Sequence, residues 1–170
     1  FRSVNTYGLF SVMTKTRPEI IFELSTDGKD WEELKFKWKP VRLNETPGLI
    51  QPHQPRLDWQ LWFAGLYYEQ VLTVFQGMYD RIPESYDEIH HFIYGNLRQT
   101  YHQHVWVHKL MESILYESPP VLKLISTEEW PTGRTTIRAW LYDYRFTRNN
   151  STNWWVRNNK RLLFPSFRVD

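Results

Sequence analysis

Gln51-Pro52-His53-Gln54-Pro55-Arg56-Leu57-Asp58-Trp59-Gln60-Leu61-Trp62-Phe63 decides how this chain is read. Its two prolines fix φ and hold their neighbours in extended backbone, so the segment begins as a stiff lead-in. From Arg56 onward the period changes. Leu57, Leu61, Ala64, Tyr68, Val71 or Leu72, and Phe75 recur every three or four residues, as a helix with a buried face requires. Trp59, Trp62, Phe63 and Leu66 widen that face until it covers most of the circumference. The pattern predicts a central helix over 56–79, with a sheet and later helices packed around it.

Working outward, Pro18 to Ser25 alternates, with Ile20, Phe22 and Leu24 on one side and Glu19, Ile21 and Glu23 on the other. Thr26-Asp27-Gly28-Lys29-Asp30 is turn chemistry. Glu32 to Lys39 alternates again, with Leu34, Phe36 and Trp38 inward and Glu33, Lys35, Lys37 and Lys39 outward. Two such runs around a glycine turn predict a hairpin over 18–39 with one wet face. Arg2 to Phe10 reads as an earlier strand, and Ser85 to Leu97 as a helix opened by a capping-box spacing. Residues 104–117 carry a short amphipathic helix, stopped by Ser118-Pro119-Pro120. Residues 135–147 form a strand apolar on both faces, which belongs in the middle of a covered sheet. The expected class is α+β: an antiparallel sheet holding the hairpin and that strand, packed with two or more helices. A β-sandwich is the alternative, since Ser25 to Trp31 resembles a hairpin of discoidin-type carbohydrate-binding sandwiches.

Composition narrows the function. With 170 residues, 41% hydrophobic and 24% charged, the chain is long enough for one domain with a buried core. Twenty-one basic residues face 19 acidic ones, a balance without the uncompensated basic footprint of nucleic-acid binding. No cysteine is present, which excludes disulfides, thiolate nucleophiles and Cys-ligated zinc within these residues. No run of eighteen apolar residues occurs, and the start at Phe1 suggests a piece of a longer protein.

Nine Trp, ten Tyr and ten Phe exceed what one small core holds, and they predict an aromatic contact surface. Trp154 and Trp155 are the candidate partner-binding pair. Basic Arg157, Lys160 and Arg161 and then Leu162-Leu163-Phe164 follow them, a pattern that suits a partner protein or a membrane surface. Asn44, Asn149 and Asn150 each open an N-glycosylation acceptor pattern. His104 and His108 stand four residues apart, as in a zinc half-site, but no third ligand is evident, and the pair reads as a solvated helix face. Asp58 suits the positive end of a helix, Arg56 a carboxylate or carbonyl partner, and His53 a hydrogen-bonding wedge between prolines. No nucleophile elbow, zinc-protease motif or phosphate-cradling glycine run appears. No catalytic residue, metal or cofactor is therefore assigned.

The block Pro52 to Ala64, with His53, Arg56, Asp58 and Trp59, resembles the most characteristic block of the lipase maturation factor family. Asn5 to Phe10, Asp27-Gly28 through Lys39-Pro40, Ser118 to Leu122, and Ile137 through Thr147 agree in order, as do Trp154-Trp155 and Leu163-Phe164-Pro165. The spacing departs over 78–104, as if by an insertion. The resemblance implies a single lumenal C-terminal domain over 1–170, attached to the transmembrane region of an endoplasmic reticulum protein and assisting the folding of secreted lipases. It also implies an alternative, a scaffold or carbohydrate-binding-like module on a membrane enzyme related to the vitamin K-dependent carboxylases.

Overall fold

The computed structural model describes residue 14 and residues 16–49, 55–79, 105–125, 133–148 and 151–168, with the backbone alone for 74–79. In chain order the elements are β1 (Arg17–Ser25), β2 (Glu32–Glu33), α1 (Arg56–Tyr79), α2 (Val105–Leu115), α3 (Pro119–Leu122), β3 (Thr136–Phe146) and β4 (Trp155–Arg168). The strands form one antiparallel sheet in the order β2-β1-β3-β4. The fold is α+β, as the periodicities predict. The strand expected over 2–10, the helix over 85–97 and all but the first two residues of the spacing change over 78–104 lie outside the described residues.

The register sorts side chains onto two faces. Ile20 opposes Leu141, Phe22 opposes Ala139 and Leu24 opposes Ile137. This face meets Leu61, Ala64 and Tyr68 of α1 and Val107, Leu110, Met111 and Ile114 of α2 in the main core. Gly65 marks where α1 comes closest to β1: a Cβ there would sit 2.7 Å from the Pro18 carbonyl oxygen. Arg161 of β4 reaches both Asp143 and, at 4.0 Å, Glu69 of α1, tying the helix to the far strand.

The opposite face was expected to be wet. Instead Glu19, Ile21 and Glu23 are all buried. Val41, Tyr142, Tyr144 and Trp155 close over Ile21 in a second, smaller cluster. Burial pushes the Tyr144 phenol up to about 12. Beside that cluster, cations alternate with rings. The Arg138 guanidinium lies 3.8 Å from the Trp31 ring centre, Lys160 lies 4.2 Å over Trp140, and Arg157 lies 4.7 Å over Tyr142. Glu23 accepts from Arg138 and from Trp140 Nε1. Charges can occupy this side of the sheet because each has an opposite charge or a ring face as partner.

Two further expectations are corrected. The second arm of the 18–39 hairpin is a strand only at Glu32–Glu33, followed by an isolated bridge from Phe36 to Ile125. Past Phe36 the alternation breaks: Lys39 is buried and Trp38 is exposed. The first arm and the turn hold, since Asp27 Oδ1 accepts from the backbone N–H groups of Lys29 and Asp30, and Gly28 takes φ 76°. Helix α1 is not the centre of the domain: Arg56, Gln60 and Phe63 are exposed, and the covered middle element is β3. The basic run and the Leu162-Leu163-Phe164 patch after Trp154 lie in the fourteen-residue β4. Its register shifts opposite Leu141–Asp143, and Asn159 takes φ 53° there, so a bulge hides the strand period. Pro165 is accommodated because β4 is an edge strand.

Candidate functional site

The decisive block Pro55 to Trp62 opens α1 beside the start of β1. Its side chains line a cleft of about 230 Å³ together with Arg17, Glu19, Trp38 and Lys39. Asp58, in the first turn, is buried, and its Oδ1 accepts from the backbone N–H of Trp38 at 3.1 Å. That bond pins the 38–39 segment to the helix start and turns Trp38 outward, 44% exposed. Burial raises the Asp58 carboxyl above its ordinary value, against the lowering effect of the Trp38 N–H and the Lys39 charge.

Beneath Asp58 lies an ion pair. Lys39 Nζ is 3.1 Å from Glu19 Oε2 and donates to the Ile20 carbonyl at 2.6 Å. Arg17 Nε donates to Glu19 Oε1 at 2.9 Å, and its guanidinium also stands 5.1 Å from the Trp155 ring centre. The walls are aromatic. Trp59 and Trp62 lie 5.3 Å apart between ring centres, and Phe63 is 5.2 Å from Trp59. Two buried polar atoms here have no hydrogen-bond partner: Trp62 Nε1 and Glu19 Oε2, the latter held only by the Lys39 charge.

Asp58 and Trp59 of the predicted block thus share one cleft, while Arg56 is exposed and lines no part of it. His53 lies outside the described residues, as do Asn149 and Asn150. Asn44 is exposed in a turn. His104 is also outside the described residues. His108 is half-buried rather than solvated, stacked on Phe167 at 4.7 Å with Nδ1 3.3 Å from Glu112. Among the described residues no group of three or more His, Asp or Glu is placed to hold a metal. The buried Glu19–Lys39 pair escaped the sequence reading because alternation put both residues on wet faces. Its only signal was an unbroken apolar neighbourhood around Glu19, in Ile20-Ile21-Phe22.

The candidate pair at the β3–β4 turn divides. Trp155 is buried, stacked on Phe146 at 4.3 Å, and its Nε1 donates to the Glu45 carbonyl at 3.1 Å. Its neighbour points the other way: Trp154 is 48% exposed and Phe146 60% exposed. The basic residues after them are not free. Arg157 pairs with Glu33, Lys160 with Glu23 and Arg161 with Asp143.

An antiparallel sheet backed by helices, with a tryptophan-walled cleft and exposed rings at one strand turn, is the class of protein this geometry defines. The chain belongs to the lipase maturation factor family: it matches the Lipase maturation factor C-terminal domain over residues 3–96 and 89–165. It is 34% identical to lipase maturation factor 2 of Xenopus tropicalis, over 98% of this chain and 21% of that protein. Human lipase maturation factor 2 is 32% identical over 95% of the chain and 20% of its own length. Mouse lipase maturation factor 1 is 29% identical over 99% of the chain and 26% of its own length. The chain therefore spans about a fifth to a quarter of the curated relatives it matches. No solved structure matches it.

Proposed function

We propose that this chain is the lumen-facing C-terminal domain of an endoplasmic reticulum membrane protein and binds secreted lipases before they assemble. The observation that carries the reading is the placement of its tryptophans. Among the eight that fall in described residues, only Trp155 is buried; Trp38 and Trp154 are exposed and the others half-exposed. Rings that are part buried and part wet suit reversible coverage of apolar surface on an unassembled partner. Exposed Trp154 and Phe146 form the client contact, and Phe146 stacks on buried Trp155. The neutralised Arg157, Lys160 and Arg161 favour a protein client over an anionic membrane surface. No helix among the described residues is long and apolar enough to cross a membrane, and in this reading the transmembrane region lies in other parts of the protein. Exposed Asn44, with exposed Thr46 two residues on, suits a lumenal glycan.

The test is capture of a secreted lipase in its unassembled form, with the folded dimer as control. Preferential capture of the unassembled form, weakened about tenfold by Trp154→Ala with Phe146→Ala, a loss of about 1.4 kcal/mol, supports the reading. Equal capture of both forms contradicts it.

A further inference from the structure

The cleft over the Glu19–Lys39 pair has neither Trp154 nor Phe146 in its lining, and its chemistry is different. We propose that it binds one uncharged pyranose ring of an oligosaccharide. Three properties of the cleft select that ligand class.

The first is charge. Arg17 and Lys39 face Glu19 and Asp58, so two positive groups meet two negative ones. Glu19 already takes Arg17 on one oxygen and Lys39 on the other. Uncompensated negative charge beside the rings would favour an ammonium ligand, and a spare cation would favour a phosphate. This lining offers neither.

The second is the mixture of surfaces. Trp38, Trp59 and Trp62 give flat apolar walls, and the C–H face of a sugar ring packs on such a surface. The hydroxyls of the same ring need both donors and acceptors. Trp62 Nε1 is a buried donor without an acceptor, and Glu19 Oε2 is a buried acceptor without a directed hydrogen bond. A buried polar atom left unpaired costs stability unless a ligand or water satisfies it, and a ring hydroxyl reaches these two only if the side chains shift, since neither atom is open to solvent.

The third is size. At about 230 Å³ the cleft falls below the range of about 300–1,000 Å³ that holds drug-sized ligands, so it admits one ring rather than an extended chain.

The experiment titrates the whole chain with methyl α-mannopyranoside, methyl β-glucopyranoside and diacetylchitobiose, following tryptophan fluorescence and backbone amide NMR shifts. Choline and inorganic phosphate serve as charged counter-probes. At least one saccharide is expected to saturate, with shifts at residues 38–39 and 58–62. Trp62→Phe keeps an aromatic ring but removes the N–H, and it should weaken binding about tenfold. Trp38→Ala, at an exposed position, should weaken it at least as much, while Tyr116→Ala, exposed outside the cleft, leaves it unchanged. Three outcomes each overturn the proposal: no saccharide binds, choline or phosphate binds in preference, or Trp62→Phe and Trp38→Ala both bind like the native chain.

Discussion

Lys39 Nζ lies 3.1 Å from Glu19 Oε2, with both side chains almost fully withdrawn from solvent. The pair joins the segment after β2 to the start of β1, directly beneath the opening turn of α1. Lys39→Ala leaves Glu19 with Arg17 alone and exposes Asp58 to an uncompensated neighbour. Removing one partner of a buried pair costs about 3–5 kcal/mol, and the remaining Arg17 contact places this case at the lower end. Urea unfolding of the variant checks it, with the double variant Glu19→Gln, Lys39→Met expected to recover most of the loss.

Asp58 supplies a pH dependence. Burial raises its folded pKa above the ordinary 3.8, so the folded chain holds a proton that the unfolded chain releases. Stability from this group is therefore greatest at low pH and declines as pH rises from about 3.8 through the raised folded value. Unfolding free energies of the native chain and Asp58→Asn, compared across that window, should show the native chain gaining relative to the variant as pH falls. A difference independent of pH would mean that the carboxyl is not perturbed.

At Gly65 two effects compete. Alanine improves helix propensity by about 1 kcal/mol, but its Cβ would stand 2.7 Å from a backbone oxygen of Pro18. Backbone cannot yield as a side chain can, so overpacking prevails and Gly65→Ala should destabilise by about 1–3 kcal/mol. A raised melting temperature would show that α1 sits further from β1.

The adjacent tryptophans 154 and 155 should behave in opposite ways. Trp155→Ala removes a buried ring with a stacked neighbour and a hydrogen bond, at a cost of about 3–5 kcal/mol. Trp154→Ala changes an exposed side chain and should stay within about 0.5 kcal/mol of the native stability. Thermal melts of the two variants read this directly, and similar values for both would contradict the assigned burial.

Much of the framework was legible in the sequence. The period change at Arg56 gives α1 from Arg56 to Tyr79, and the two-sided run in 135–147 gives β3 at the middle of the sheet. What escaped was set by contacts distant in the chain. Glu19 and Glu23 look solvent-facing by alternation, yet they are buried because Lys39, Arg138 and Lys160 arrive from other segments to pair with them, beside Arg17 of the same strand. In β4, the bulge around Asn159 breaks the two-residue period, so the strand is not legible across Arg157 to Arg161. Asp58 and Trp59 stood out as parts of a block, but their meeting with Trp38 and Glu19 depends on where β1 passes under α1.

The most direct test of the account is secretion of active lipase by cells lacking their own lipase maturation factors, complemented with the full-length protein that carries this chain. The account predicts that the native protein restores secreted lipase, and that Trp154→Ala with Phe146→Ala sharply lowers it at unchanged abundance of the factor itself. Full rescue by that double variant would contradict the claim that the exposed rings at the β3–β4 turn bind the client.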